Sequence, residues 1–556
     1  MAFGVSPFSM LGWNIPSQRH PRVTRRMSLE NLKTSLPEPV GSQENLSQVL
    51  TGARPVETKE RLGALDLLRG FALCGILLMN IVHFAWPGGA YGSPTFPYYR
   101  LDSIGEVPDP EVRAKEIAAE EKGLSRSEKE KRREEREKET KPQYAHGQLA
   151  WCAIASEADQ YEWAFAHLLV ENKMRTLFSM LFGAGVLLMT THAREKARRP
   201  GWLHYRRMFW LLVIGALHAY LLWTGDILFA YASIGLWLYP LRNLRARTLL
   251  GTGLALLLTP LAIGAAAPVV IDWVKERGKA VEQQLKEESG PERKPEGGEE
   301  AETGSRLDDL HWLDAKYLAG YRALRGMSRK GPQPEMATLN IRKYRAQGYL
   351  DGVTERFWDM IWAQLAELFL GILGLGWPMV LGMGLMKLGF FSGQWDHSSY
   401  GKWALALYLL GIPMTWWGLM LSMQGGNSLG MQLRVILPME WVGSLFLTLA
   451  NASGLLWLWK TGRLAWLARR LQAAGQMALT NYLMQSVICS LVFFGHGLAL
   501  YGSVPRTGLA ALVAGIWALQ LTLSPWWLGR YRFGPVEWVW RSLTYWKRQP
   551  MSLAGG

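Results

Sequence analysis

Long apolar runs, separated by short polar turns, recur along most of this chain at the length of membrane-spanning helices. A bilayer core takes about 20 consecutive apolar residues per helix. In hydrocarbon the backbone must satisfy its own hydrogen bonds, so runs of that length are helices. The pattern predicts spans near 66–86, 162–190, 204–223, 226–241, 248–272, 362–386, 403–423, 435–458, 477–499 and 508–528. The expected fold is therefore all-α, a polytopic membrane bundle of about ten transmembrane helices. Two long polar segments, about 87–161 and 273–361, interrupt it and leave an N-terminal half at 61–272 and a C-terminal half at 362–548.

Lys and Arg in short loops set the orientation of such a bundle. The 191–206 loop carries Arg194, Lys196, Arg198, Arg199 and Arg206, and the 242–247 turn carries Arg242, Arg245 and Arg247. Lys460, Arg463, Arg469 and Arg470 follow in the 459–470 loop, and Arg530, Arg532, Arg541, Lys547 and Arg548 lie beyond the last span. Loops of the opposite parity hold almost no positive charge: Arg434 alone in 424–434 and Arg506 alone in 500–507. Both ends are thus expected in the cytoplasm, both insertions in the periplasm, and the chain in a bacterial inner membrane, with lipid as its partner. Residues 1–60, with Arg22, Arg25 and Arg26 and no apolar stretch, read as a flexible basic tail rather than a cleaved signal peptide.

Composition changes this picture little. A mean hydropathy near zero looks soluble, but the net charge of +15 is concentrated between the apolar runs. The insertions hold SRSEKEKRREEREKETK, suited to a solvated helix, and EESGPERKPEGGEEAETG, too polar and too rich in Gly and Pro to form a core. Cys74, Cys152 and Cys489 give neither metal spacing nor a disulfide framework. Neither a metal nor a nucleic-acid partner is expected.

Ionisable groups inside spans are costly and mark candidate sites. Asp66 and Arg69 share a helix face at the cytoplasmic end of the first span. They form a local ion pair, or Arg69 snorkels to the interface, or Arg69 holds an anionic group such as a phosphate. Asn80 lies roughly 16 Å deeper, one turn from His83; an amide there is interhelical glue or a functional donor. In the second span Glu171 and Arg175 have the spacing of an ion pair, and Lys173 needs a partner or a wet cavity. His218 and Asp226 flank one outer turn of a tight hairpin, where Asp226 is an N-cap or orients His218 as a base. The topology sets Asn80, His83, Glu171, Lys173, His218 and Asp226 in the outer half, as for a shared polar cavity. The glycines of LFGAG (181–185) and LGILGLG (370–376) permit close helix packing.

The opening RLGALDLLRGFALCGILLMNI resembles the bacterial YeiB family, a domain of unknown function numbered 418. So, in order, do KMRTLFSMLFGAG, RRMFWLLVIGALHAYLLWTGDILFAYASIGL, GQMALTNYLMQSVIC and FGPVEWVWRSLTY. The first segment is also similar to that of membrane acyltransferases of the heparan-α-glucosaminide N-acetyltransferase type, which carry an acyl group from cytosolic acyl-CoA to an acceptor across the membrane. Their pattern of an Asp, an Arg-Gly pair and an Asn matches Asp66, Arg69-Gly70 and Asn80. That resemblance implies an acyl-CoA co-substrate facing Arg69 and Asp66, and Asn80 holding the acyl carbonyl. In those enzymes a catalytic His follows the Asn by roughly a dozen residues. Here His83 follows by three, and His83 or His218 would take the role. The sequence thus supports an acyltransferase with a glycan, lipid or small-molecule acceptor, a solute transporter binding through Glu171, Lys173 and Arg175, or a non-catalytic scaffold.

Overall fold

The computed structural model describes residues 63–87, 157–195, 200–288, 313–314, 316–321, 334–423 and 429–553. Contacts divide the chain into Met1–Thr51, outside the described residues, and Gly52–Gly556, to which everything below refers. The basic tail and the charge run at 125–141 lie outside the described residues, as does most of the Gly- and Pro-rich run.

Each predicted apolar segment falls on a helix. In order these are α1 (Gly63–Ala85), α2 (Glu157–Phe165), α3 (Lys173–Glu195), α4 (Pro200–Leu221), α5 (Leu228–Leu241) and α6 (Ala246–Glu288). Then come α7 (Pro334–Ala346), α8 (Tyr349–Lys387), α9 (His397–Met423), α10 (Leu437–Lys460), α11 (Ala465–Gln476), α12 (Ala478–Phe493), α13 (Arg506–Leu528) and α14 (Pro535–Tyr545). No strand occurs among the described residues. Among the described residues, five helical segments are long and apolar enough to cross a membrane: Gly63–Ala85, Ala246–Leu285, His397–Ser422, Gln432–Lys460 and Arg506–Leu528.

Helix α1 is the axis of the bundle, with 72% of its apolar stretch buried against 17% for α6. Leu65, Leu68 and Ala72 pack on Leu177, Met180 and Leu181 of α3. Leu67 packs on Ala468 and Leu471 of α11, and Ile76 and Ile81 join a core with Cys489 and Phe493 of α12 and Val513 of α13. The outer helices instead expose apolar faces: Leu258, Ile263 and Val269 on α6, and Trp403, Leu405, Leu409 and Trp417 on α9. Apolar faces this extensive need an apolar solvent. Together with the apolar helix lengths they make this a multi-pass membrane protein in a lipid bilayer.

Glycine permits the close crossing of α3 and α8. A Cβ on Gly183 of α3 would stand 2.0 Å from the Met379 carbonyl of α8, and one on Gly382 of α8 2.0 Å from the Met180 carbonyl of α3. The LFGAG motif therefore acts as expected. In LGILGLG, by contrast, Gly374 faces open space.

Three departures from the sequence expectations matter. The second span is broken: α2 ends at Phe165, a π-helical turn covers Ala166–Val170, and Asn172 takes φ 59° before α3 begins. Asn tolerates that left-handed conformation better than other side-chain-bearing residues. Next, α6 continues through Glu288, 43 residues or about 65 Å, so it projects well past any bilayer core.

Finally, 273–361 is not solvated throughout its described part. Ile341 of α7 is 1% exposed, and Tyr344 stacks on Phe494 and Tyr501 at 5.7 and 4.7 Å. Arg345 Nε donates to the Tyr501 carbonyl at 2.6 Å, and Gly495 N–H to the Tyr344 carbonyl at 2.9 Å. A few apolar residues at helical spacing, Ile341 and Tyr344, suffice to dock an otherwise polar helix.

This docking carries a pH dependence. Lys343 of α7 donates to the Glu355 carboxylate, short of the predicted span in α8, and Gln347 Nε2 donates to its other oxygen at 2.8 Å. Partial burial works against the charge, but hydrogen bonds from Lys343 and Gln347 outweigh it and hold the carboxyl below its usual range. Stability from a depressed carboxyl is complete above the unfolded value, about 4.3, and fades as pH falls through the folded value. Hydrogen exchange over 334–346 is expected to accelerate below about pH 4 while α10 stays protected. Equal protection of α7 at neutral and acidic pH would remove this pair from the docking.

Candidate functional site

A cavity of about 150 Å3 opens between α1, α3, α4, α5, α12 and α14 at the end of the bundle where α1 begins. Three arginines line that end. Arg69 Nη1 sits 3.3 Å from the Asp66 carboxylate, so the three-residue spacing yields the expected ion pair. Gly185 of α3 leaves the guanidinium its room, because a Cβ there would lie 3.0 Å from Arg69 Nη2. Arg207 of α4 stacks its guanidinium on Trp540 at 4.4 Å, and the Trp540 indole N–H donates to the Arg207 carbonyl at 3.1 Å. Arg541 lies over the Phe533 ring at 4.6 Å.

Two carboxylates line the same end, and both are engaged. Asp66 faces Arg69, while Glu537 Oε1 accepts the N–H groups of Leu479 and Thr480 at 2.7 and 3.0 Å. Glu537 thereby caps the start of α12, where a carboxylate offsets the positive helix end. The arginines keep a net positive field at the mouth.

Deeper in, the lining turns apolar. Along α1 it passes from Arg69 to Leu73 and Ile76, about 10 Å of helical rise, and along α4 from Arg207 to Leu211. Ile227, Leu228, Tyr231 and Tyr482 form the far wall. The Tyr231 hydroxyl is within 2.7 Å of Ser179 Oγ and donates to the Arg175 carbonyl at 3.2 Å, which ties that wall to α3.

Immediately behind the wall lies a three-member relay. His218, near the end of α4, places Nδ1 2.8 Å from Asp226 Oδ1 and Nε2 2.8 Å from Ser486 Oγ of α12. The second Asp226 oxygen accepts the Phe229 N–H at 2.7 Å, so Asp226 both caps α5 and orients His218. A carboxylate only accepts, so the pairing assigns the ring proton to Nδ1 and leaves Nε2 to accept the serine hydroxyl. His218 is 2% exposed and Ser486 1%. The Tyr482 ring lies 5.1 Å from the imidazole and separates it from the cavity.

The remaining expected residues do not share this cavity. Asn80 is half-buried on α1, one turn beyond Ile76. His83 is exposed at the other end of α1, in a groove with Trp223, Tyr344 and Arg356. Because Asn172 breaks the helix between Glu171 and Arg175, their spacing no longer describes one face. Glu171 instead lies 3.2 Å from His167 Nε2, and Arg175 donates to Asn172 Oδ1 at 2.8 Å. Lys173, 3% exposed, donates to the His167 carbonyl at 2.6 Å, and Thr448 of α10 donates to the Lys173 carbonyl at 3.1 Å. This cluster stitches the helix break to α10. The single cavity expected from depth alone is three separate sites.

Sequence reasoning missed Ser486 and the placement of Arg207 and Arg541. A lone serine in an apolar helix carries no signature. Arg541 was legible as a charge in a Trp-rich basic tail, and FGPVEWVWRSLTY sets Glu537, Trp540 and Arg541 on one amphipathic helix.

Comparison with known proteins finds relatives along most of this chain. Residues 385–547, covering α9 to α14, match the family described as Protein of unknown function (DUF418). The chain is 27% identical over 522 residues to Uncharacterized protein YxaH of Bacillus subtilis (strain 168), across 90% of this chain and 99% of the relative. It is 25% identical over 487 residues to Uncharacterized protein YeiB of Escherichia coli (strain K12), across 87% of this chain and 96% of the relative. The chain is YeiB-like. The DUF418 stretch contributes Tyr482, Ser486, Glu537 and Arg541 to the site, and the YeiB-like N-terminal half contributes Arg69, Arg207, His218 and Asp226. A protein of Bacillus acidopullulyticus, described as an uncharacterized 39.9 kDa protein in the amylase 3' region, is 23% identical over 503 residues. No solved structure matches.

Proposed function

We propose that this chain is an inner-membrane acyltransferase that moves an acyl group from cytosolic acyl-CoA to a glycan, lipid or small-molecule acceptor. One observation carries the reading: a single cavity joins an arginine-lined end to an apolar interior backed by the His218–Asp226 pair. In the N-in, C-in orientation with ten spans, the arginine end faces the cytoplasm, where acyl-CoA is found. The coenzyme phosphates lie among Arg69, Arg207 and Arg541, which bind them through charge-assisted hydrogen bonds. The acyl-pantetheine arm occupies the apolar part. His218 is the general base, oriented by Asp226.

Titration of detergent-purified protein with acetyl-CoA and longer acyl-CoAs tests this. Loss of hydrogen bonds to a charged group costs about 1.5–3 kcal/mol, so Arg207→Ala is expected to weaken binding by about 10- to 100-fold. Folded wild-type protein that binds no acyl-CoA overturns the reading. A transport reading through Glu171, Lys173 and Arg175 has less support, since the Lys173 ammonium is committed to the His167 carbonyl. Solute flux without coenzyme would favour it.

A further inference from the structure

The acyltransfer reading needs only a base, yet the relay behind the cavity ends on a hydroxyl. A serine in a membrane helix ordinarily satisfies itself on the carbonyl one turn back. Ser486 lies a long 3.4 Å from the Tyr482 carbonyl and 2.8 Å from His218 Nε2, so its stronger partner is the imidazole. The imidazole in turn has its other nitrogen on Asp226, whose second oxygen is fixed by the Phe229 amide. Three buried polar groups drawn from α4, the start of α5 and α12 thus stand in the order carboxylate, imidazole, hydroxyl. That order activates a serine nucleophile regardless of the fold that carries it.

Helix α12 is held so that this geometry persists. Gln485 Nε2 donates to Gln520 Oε1 at 2.9 Å, Asn481 Nδ2 to Ser524 Oγ at 3.0 Å, and Gln520 Nε2 to the Asn481 carbonyl at 2.9 Å. This network pins α12 to α13, while Tyr482 and Ser486, one turn apart, face His218. Tyr482 reaches the cavity and Ser486 stands one turn behind it.

We propose that Ser486 is the nucleophile of a double-displacement reaction that passes through an acyl ester on its Oγ; this rests on the acyltransfer reading above. Ser486 Oγ attacks the thioester carbonyl carbon and gives its proton to His218 Nε2. The C–S bond breaks, the departing sulfur takes that proton, and free coenzyme A leaves. The acceptor's hydroxyl or amine then attacks the ester carbonyl and gives its proton to His218, which passes it to Ser486 Oγ as the C–O bond breaks. Rotation of the Tyr482 ring admits the thioester from the cavity.

The test is isotope exchange in full-length protein in detergent. Labelled coenzyme A is incubated with acetyl-CoA and no acceptor, and the protein is then digested for mass spectrometry. Wild type is expected to exchange label into acetyl-CoA and to carry an acetyl group on the peptide containing Ser486. Ser486→Ala is expected to lose both while keeping the wild-type acetyl-CoA affinity and unfolding temperature, and Ser486→Cys to restore exchange. If wild type binds and transfers acetyl without exchange, or if Ser486→Ala transfers at the wild-type rate, the nucleophile role falls and the acyltransfer reading stands. If wild type does not bind acetyl-CoA at all, both fall.

Discussion

Replacing His218 by alanine is expected to lower acyl transfer by about 10^2- to 10^4-fold, the range for loss of a positioned general base, while acyl-CoA affinity stays at the wild-type value. Binding and chemistry separate because His218 is behind Tyr482 and does not line the cavity that takes the coenzyme. The substitution leaves Asp226 and Ser486 facing a void, so His218→Gln, which keeps most of the volume, serves as the packing control. Asp226→Asn extends the test. It keeps the cap on α5 but removes the charge that orients the imidazole, so it should lower the rate and spare affinity as well. Turnover by His218→Ala at the wild-type rate would exclude this relay from the chemistry.

A large stability effect is expected at the α3–α8 crossing. A methyl group on Gly183 would stand 2.0 Å from the Met379 carbonyl oxygen, and the same holds for Gly382 against Met180. Neither obstacle is the tip of a flexible side chain, so the helices must separate. Overpacking costs typically about 1–3 kcal/mol, and Gly183→Ala or Gly382→Ala belongs at the top of that range. Gly374→Ala is the comparison: the position is on α8, faces open space, and gains the helix propensity of alanine. Thermal unfolding followed by size-exclusion fluorescence should rank Gly374→Ala at or above wild type and both crossing variants well below it. Equal midpoints for all three would mean that the helices tolerate separation.

Much of the fold was legible because the hydrocarbon requirement is severe. A run such as 403–423 has few alternatives to a helix. The break at Asn172 was hidden because a positive φ leaves no mark in hydropathy, and the KMR that follows reads as ordinary polar helix. Helix α7 was hidden for the opposite reason, since Ile341 and Tyr344 are too few to outweigh their polar neighbours in any window. In the site, Asp66–Arg69 and His218–Asp226 were legible because each pair is local in sequence. Ser486 is 268 residues from His218, a separation that no local pattern spans. Arg541 was read as an orientation charge and Arg207 was not singled out; that they meet at one cavity depends on α14 folding back onto α4.

The burial of α1 has a consequence for biogenesis. Among the described helices α1 is made before the partners that enclose it, α3, α11, α12 and α13, which begin about 110 to 440 residues after Gly63. Until α11, α12 and α13 follow, the future axis of the bundle therefore has α3 as its one enclosing partner among those four. The interior of this protein is assembled around an early segment, and the arginine-lined mouth is complete only once α14 has been made.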